Sequence, residues 1–181
     1  MAIIAKEPEG NFEQIETGTY QAVCAEVIDL GMREQKSFSE SDPSTVLKHK
    51  ITIVWELNEQ KSDGKKFVFS KEYSLTLHEK ATLRKDLDAW RGIAFTAEQL
   101  QGFDVENVIG ANCMITISAY DRKGIGDGRK ITAVSKTMKG LAKIELSTDY
   151  LRPKFINDII NGTSDAPHPA EQYVDESGLP F

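Results

Sequence analysis

The side chains of this sequence that could do chemistry are mainly cations and aromatic rings, and many of them fall in one stretch. Between 121 and 143, seven lysines and arginines stand against two aspartates, a net charge of +5, and Tyr120 comes directly before them. Lysine and arginine neutralise phosphate groups, and an aromatic ring can stack on a nucleobase. The stretch therefore predicts local contact with a polyanion. An ordinary solvated surface would carry the same charges, so the fold has to separate these two interpretations.

A second chemical feature is the run Asp175-Glu176-Ser177-Gly178-Leu179-Pro180-Phe181. An apolar pocket rimmed by Lys or Arg could take the Phe181 ring and its α-carboxylate together. The residues before it have no hydrophobic period and contain Pro167 and Pro169, which predicts a flexible tether. We expect a disordered acidic tail that binds a partner through Asp175, Glu176, Leu179, Pro180 and Phe181. The alternative is a disordered terminus with no partner.

Catalytic and metal-binding patterns are missing from the sequence. Cys24 and Cys113 lie far apart, and the histidines at 49, 78 and 168 have no ligand spacing, so we expect no metal and no cofactor. Neither a Gly-x-x-x-x-Gly-Lys-Ser/Thr phosphate loop nor a Gly-x-Ser-x-Gly elbow occurs. The sequence predicts a protein that is not an enzyme. The alternative left open is a metal-dependent nuclease whose carboxylates converge only in three dimensions.

The composition is that of a globular domain with an uneven charge distribution. The chain has 181 residues, 40% of them hydrophobic, and a net charge of -6. Residues 1–16 carry a net charge of -3 and residues 163–181 one of -4, which leaves a mildly basic body. No run of about 18 apolar residues and no basic leader occurs, so we expect neither a membrane span nor secretion. Two cysteines in apolar patterns predict buried, reduced thiols and a cytoplasmic location.

Alternation of apolar and polar residues predicts five strands. They are Thr19–Leu30, Val46–Leu57, Lys66–Leu75, Asn112–Tyr120 and Arg129–Ser135. Serines, Gly31 and Pro43 predict a long loop over residues 31–45, and Ser62-Asp63-Gly64 predicts a hairpin turn.

Helical spacing appears between the third and fourth strands and again near the end of the chain. Thr76-x-x-Glu79 matches a capping box, and Gly92 supplies a helix stop. The apolar face between them is formed by Leu83, Leu87 and Trp90. A second short helix is predicted over Thr96–Phe103, and an amphipathic one over 150–161 that Pro153 opens.

Three strands, a helix and two strands is the element order of the five-stranded OB barrel. We therefore expect a mainly β protein, an OB-type β-barrel with a helix between strands 3 and 4, plus a short C-terminal helix and a disordered acidic tail. The predicted organisation is an N-terminal arm over 1–16, an OB-fold domain over 17–148, a C-terminal helix over 149–162 and a flexible tail over 163–181. Another small, open β-sheet domain is the alternative.

OB barrels bind oligomers across the outer face of strands two and three, between the loops after strands one and four. The cations and rings of this sequence map onto those places: Arg33, Lys36 and Phe38 in the first loop, Lys48 and Lys50 on strand two, and Tyr120, Arg122, Lys123, Arg129 and Lys130 around the second loop. Tyr120 is the best stacking candidate because it lies on the strand face opposite Ile115 and Ile117.

Strand three and the tryptophans are harder to place. Phe67, Phe69, Lys71 and Tyr73 share one face. We expect the two phenylalanines to be buried, and Lys71 and Tyr73 to emerge where the strand bends and to join the binding surface. Trp55 and Trp90 are expected in the core. Base stacking is the alternative for Trp55 and the two phenylalanines.

The predicted barrel and the tail together resemble phage-encoded single-stranded DNA-binding proteins with an OB fold. The tail departs from that family in two places, since Ser177-Gly178 interrupts the acidic run and Leu179 replaces the commoner Ile. The resemblance implies a protein that coats exposed strands in DNA replication, recombination or repair, with little sequence specificity. It also implies that the tail recruits replication or recombination proteins, in the host cytoplasm if the protein is phage-encoded. A recombination mediator or annealing protein, and a protein-interaction module on an OB barrel, are the alternatives. A homo-oligomer stays open.

Overall fold

The computed structural model describes residues 13–36, 44–124 and 126–162, and in them the protein is mainly β. Five antiparallel strands form one open sheet in the order β3-β2-β1-β4-β5. The strands are β1 (Gly18–Lys36), β2 (Thr45–Gln60), β3 (Lys66–Ser74), β4 (Asn112–Asp121) and β5 (Asp127–Ser135). Two α-helices accompany them, α1 (Thr82–Arg91) and α2 (Lys154–Asn161). The predicted strand number and the place of the main helix are confirmed, and the described part of the sheet is not closed into a barrel.

The first two strands are longer than predicted and form a hairpin arm, which we define as residues 31–36 of β1 and 45–49 of β2. The loop expected over 31–45 is wrong for this part, because the strands stay paired out to Lys36 opposite Thr45. Gly31 carries the chain through a bulge with a φ of 69°, and its N–H donates to an Asp29 carboxylate oxygen at 2.7 Å. Gly31 was predicted to start a loop, but its left-handed conformation forms a β-bulge, after which the two strands continue to pair.

The main core lies on one face of the sheet, the inner face. It holds Ile51, Ile53, Trp55 and Leu57 of β2, with Phe67 of β3 and three residues of β4. Trp55 is fully buried, and its ring centroid lies 5.8 Å from that of Trp90. Both tryptophans and Phe67 are thus core residues, as expected. Phe69 is half-buried and packs against the same cluster.

Helix α1 packs on the core and joins the two edge strands. Leu83, Leu87 and Trp90 are buried, and Gly92 ends the helix with a φ of 69°, as the spacing predicts. The predicted capping box is wrong, because the helix begins at Thr82 after Ala81 and has no side-chain cap. Asp86 accepts hydrogen bonds from Lys71 and Tyr73 of β3, and Lys136 N, just after β5, donates to Ala89 O at 3.0 Å. One side of α1 therefore contacts both β3 and the end of β5.

Residues 13–15 connect the same two strands at their other end. The Glu13 carboxylate accepts hydrogen bonds from Ser62 N and Oγ, both at 2.8 Å, at the turn before β3. Ile15 is buried in the main core, and its carbonyl accepts a hydrogen bond from Arg129 of β5 at 2.8 Å. The predicted N-terminal arm thus ends in an ordered segment that lies between the edges of the sheet.

The second short helix, predicted over Thr96–Phe103, is reduced to a 3-10 turn at Gln99–Gln101, and another 3-10 turn spans Val105–Val108. Phe103 still packs, because its ring meets Phe95 edge-on with the centroids 5.0 Å apart. The C-terminal helix is present, with Pro153 as its N-cap residue and Gly162 at its end with a φ of 66°.

Candidate nucleic-acid interface

The outer face of the sheet, opposite the core, is divided into a covered part and an open part. The covered part lies on β1, β2 and β3, and the open part lies on the β4–β5 hairpin. The C-terminal segment, which we define as residues 144–161, lies over the covered part. Its Ile156 is fully buried in a second apolar cluster with Ala25 and Val54. The prediction placed the interface on β2 and β3, and that is the part of the face that the protein's own chain covers.

Polar contacts hold the C-terminal segment along the length of the covered part. Ser147 donates to a Glu56 carboxylate oxygen through N at 2.9 Å and through Oγ at 2.8 Å. The Glu26 carboxylate accepts from Tyr150 OH at 3.0 Å and pairs with Arg152 Nη2 at 2.6 Å. Burial and the adjacent Glu26 carboxylate raise the pKa of the Tyr150 hydroxyl, so Tyr150 stays a neutral donor.

Lys50, expected on the open groove, is buried beneath this covering. Its side chain is 8% exposed, and its Nζ lies 3.6 Å from a carboxylate oxygen of Glu72 on the neighbouring strand. Burial lowers the pKa of Lys50, and Glu72 opposes that shift. The residue points to the outer face as the alternation predicts, but tertiary packing buries it beside the Glu72 carboxylate.

Lys71 and Tyr73 do not emerge from the sheet, which corrects that expectation. They are 4% and 3% exposed and stay on the inner face with Phe67. Lys71 Nζ and Tyr73 OH both donate to Asp86 Oδ2, at 2.7 and 2.8 Å. Strand β3 keeps its alternation to the end, and α1 brings a carboxylate over the two polar residues, so no bend is needed to satisfy them.

The hairpin arm carries three of the predicted cations. Arg33 and Lys48 lie opposite each other on the outer face, and Lys36 is exposed at the end of the strand. Arg33 Nη2 donates to Ile160 O at 2.9 Å, so its guanidinium binds the last turn of α2. Phe38, predicted between the two strands of the arm, lies outside the described residues.

The open part of the outer face is the end of the β4–β5 hairpin. Tyr120 is half-exposed there, opposite Gly128, and Lys130 Nζ lies 5.7 Å from the centroid of its ring. A Cβ atom at Gly128 would be 2.5 Å from the ring carbons, so the ring lies against the bare backbone of the partner strand. An aromatic ring beside a cation on one strand face can stack on a base and contact its phosphate.

Hydroxyl groups continue the open part away from Tyr120. The Oγ atoms of Ser118 and Thr132 lie 3.1 Å apart, and those of Thr19 and Thr116 lie 3.0 Å apart. Sequence reasoning missed these hydroxyls. The signal was available in β4, where the row of alternate residues Thr116, Ser118 and Tyr120 is too polar for a core.

The turn after β4 presents two cations close to Tyr120. Lys123 is exposed with a φ of 47°, and Gly124 and Gly126 follow with φ values of 88° and 102°. Arg122 is half-buried, and its N–H donates to Gly126 O at 3.1 Å. Its Nε atom has no hydrogen-bond partner among the described residues. The backbone hydrogen bond fixes the turn, and the two side chains lie at the same end of the hairpin as Tyr120.

Arg129 does not share the open part with its neighbours. It lies opposite Ala119, one residue out of phase with Tyr120 and Lys130, and therefore on the inner face. Its Nε donates to Ile15 O at 2.8 Å, and the side chain is half-buried. Arg129 anchors the ordered N-terminal segment, so the structure brings Tyr120, Arg122, Lys123 and Lys130 together without it.

The described residues hold no group of three or more His, Cys, Asp or Glu side chains that could bind a metal ion. Both cysteines are buried with free thiols, and burial raises the pKa of Cys24 to about 12. No helix within 13–36, 44–124 and 126–162 is long and apolar enough to cross a membrane. A comparison with protein-family models and with curated proteins finds no match to this chain.

Proposed function

We propose that this protein binds single-stranded DNA with little sequence preference and coats exposed strands in DNA replication, recombination or repair. The observation that carries the proposal is the half-exposed Tyr120 ring, with Lys130 above it and Arg122 and Lys123 on the adjoining turn. The ring supplies a surface for a base, and the cations supply contacts for the flanking phosphates.

The sheet order supports an OB barrel as the scaffold. In an OB barrel the first strand pairs with the second and the fourth, and the outermost strands of the opened sheet are the third and the fifth. The order β3-β2-β1-β4-β5 has that arrangement, with α1 in contact with both edge strands. The OB barrel is partly open, so edge strands that are joined through α1 and residues 13–15 are compatible with one.

The contacts on the open part favour binding without base recognition. Every base has a π-face that can stack on Tyr120, and the neighbouring serine and threonine hydroxyls can donate to phosphate oxygens or sugars. The proposed role is therefore binding alone, without a catalytic step.

Residues 175–181 provide the second half of the proposed function. They lie outside the described residues, so their role rests on the sequence alone. The acidic residues Asp175 and Glu176, followed by Leu179, Pro180 and Phe181, suit a partner pocket that is apolar within and basic at its rim. The partner would be a replication or recombination protein, in a phage-infected cell's cytoplasm if the protein is phage-encoded.

One observation favours a protein-interaction module as a second candidate. Met32 and Leu47 are 58% and 63% exposed, and the strand register places them on the same face of the hairpin arm. Exposed apolar side chains that adjoin each other often mark a protein contact. This candidate predicts no affinity for DNA, whereas a recombination mediator would bind strands and also speed their annealing.

Fluorescence anisotropy of labelled oligo-dT and of matching duplex DNA, each at two salt concentrations, tests the proposal. Tight, salt-sensitive binding of the single strand with weak binding of the duplex is expected. Absence of single-strand binding at low salt would overturn the proposal and favour the interaction module. Faster duplex formation on protein-coated complementary strands would identify an annealing protein instead.

A further inference from the structure

Helix α2 covers the end of the outer face where two cations of the hairpin arm meet. Arg33 and Lys48 face each other across β1 and β2, and Arg33 donates to the Ile160 carbonyl at the end of α2. A Cβ atom at Gly162 would lie 3.2 Å from Arg33 Nη1, so the chain leaves the helix directly beside the guanidinium. A group that binds phosphate well is thus occupied by a neutral backbone acceptor.

Helix α2 depends on this surface for its stability. The helix has eight residues, too few to persist in water without packing, and it packs through Ile156, which is fully buried, and through Ile159 and Ile160, which are partly buried. Phe155 on the same helix is 41% exposed. The same face of β2 and β3 also holds the buried polar groups Thr52 and the Lys50–Glu72 pair, which water could reach if the helix moved away. Such polar groups lower the cost of uncovering the surface.

The chain just before α2 has different anchors. Tyr150 and Arg152 bind Glu26, and Ser147 binds Glu56. Between these anchors and the helix stands Leu151 at 80% exposure, followed two residues later by Pro153. The helix can therefore leave the surface while residues 144–152 stay bound. The Glu26 and Glu56 carboxylates, which would repel a polyanion, then remain paired.

We propose that α2 is a displaceable cover over a second phosphate-binding subsite, formed by Arg33 and Lys48, that a long single strand occupies when α2 leaves. This inference rests on the proposed function. A DNA strand bound at Tyr120 would reach the Arg33–Lys48 subsite only if the DNA is long, since Tyr120 and the subsite lie near opposite ends of β1. On binding, the Arg33 guanidinium exchanges the Ile160 carbonyl for a phosphate, with which it forms a charge-assisted pair.

Hydrogen exchange of the unmodified protein tests the cover directly. The probes are oligo-dT of about 8 nucleotides, a length that one OB fold can bind, and of about 30 nucleotides, which exceeds that length. With the longer probe, the amides of residues 156–161 are expected to exchange roughly ten-fold faster than in the free protein, while those of α1 stay protected. Unchanged protection of α2 in the complex with the longer probe would overturn the inference.

Variants give a second, independent test. Ile156→Ala loosens the cover and is expected to tighten binding of the longer probe several-fold, while Asn157→Ala, at an exposed position of the same helix, leaves it unchanged. Adding Arg33→Gln to Ile156→Ala should abolish the gain, because the subsite is lost. If Ile156→Ala binds like Asn157→Ala, or keeps its gain without Arg33, the inference fails.

The two proposals can fail separately. Binding of neither probe by the unmodified protein and by Ile156→Ala would overturn both the proposed function and the cover. A second outcome would overturn only the cover and leave the proposed function standing. In it, DNA binding depends on Tyr120, the α2 amides stay protected in the complex, and Ile156→Ala does not change the affinity.

Discussion

Tyr120 is usable as a stacking surface because of the residue opposite it. Gly128 has no side chain, so the ring can lie against the backbone of β5, with Lys130 Nζ 5.7 Å from the ring centroid. A side chain at 128 would occupy the position of the ring. The glycine therefore belongs to the candidate interface, although it contacts no ligand through a side chain.

Replacing Tyr120 with alanine removes the proposed stacking surface. Tyr120→Ala should weaken oligo-dT binding by roughly 1–3 kcal/mol, whereas Tyr120→Phe, which keeps the ring, should stay close to the unmodified protein. Anisotropy titration of the two variants, with folding checked by circular dichroism, measures the difference. Equal affinities for the alanine and phenylalanine variants would place the bases elsewhere.

Adding a methyl group at Gly128 should act on the same ring from the other strand. Gly128→Ala places Cβ 2.5 Å from the Tyr120 ring, so the ring must move, and single-strand binding should weaken about as much as in Tyr120→Ala. Gly102→Ala is the matched control, because nothing lies within 4 Å of its Cβ and its φ of -179° suits any residue. Unaltered DNA affinity in a folded Gly128→Ala protein would contradict the proposed ring position.

The cations of the turn after β4 are tested by salt dependence. Arg122→Ala with Lys123→Ala should reduce the slope of log affinity against log salt by about one to two phosphate contacts. Lys80→Ala with Lys85→Ala removes the same charge beside and on α1, away from the open part, and should change the slope less. An equal effect of both pairs would mean that net charge, rather than position, governs binding.

At the level of elements, a buried polar contact holds α1 against β3 at one edge of the sheet. Asp86 on α1 accepts from Lys71 and Tyr73 on β3, and the Lys71 side chain is 5% exposed. A buried ammonium without its carboxylate is costly, so this contact fixes where α1 sits more than it adds net stability. The same contact explains why two residues expected to bind DNA are internal.

Loss of that carboxylate should destabilise the fold. Asp86→Ala leaves Lys71 buried and without Asp86, which should lower the free energy of unfolding by about 3–5 kcal/mol. Lys85→Ala, an exposed neighbour on the same helix, should change it by less than about 0.5 kcal/mol. Urea denaturation followed by tryptophan fluorescence reports both, since Trp90 lies on α1. Equal midpoints for the two variants would count against the bridge.

At the level of the whole molecule, positive and negative charges are separated along the chain, whose net charge is -6. The stretch 121–143 carries a net charge of +5, and residues 163–181 carry -4. The acidic residues oppose phosphate wherever they come near the basic surface, so they should weaken DNA binding and promote release at low salt.

Deletion of residues 175–181 should leave single-strand affinity equal or higher, because two carboxylate side chains that oppose phosphate are lost. Asp175→Asn with Glu176→Gln is the matched variant, since it removes the charge and keeps Leu179, Pro180 and Phe181. Its DNA affinity should likewise be equal to or higher than that of the unmodified protein. A large loss of DNA affinity in either variant would show that the acidic residues do not act against phosphate.

Local sequence patterns by themselves determined five strands, the apolar face of α1, the burial of Trp55 and Trp90, and the outward direction of Tyr120. These follow from side-chain periodicity, which a single strand or helix sets without its neighbours. The same patterns misjudged the bulge at Gly31 and the start of α1, where long-range pairing and packing override local turn and cap signals.

Only the tertiary structure decided which outward residues are open. Lys50 and Lys130 follow the same alternation on their strands, yet Lys50 is buried under the C-terminal segment and Lys130 is not. Arg33 and Arg129 were predicted as DNA contacts, and in the structure each binds a backbone carbonyl of a segment far away in the chain. The physical reason is that strand parity sets the direction of a side chain, whereas burial and partners depend on which distant segment packs over it.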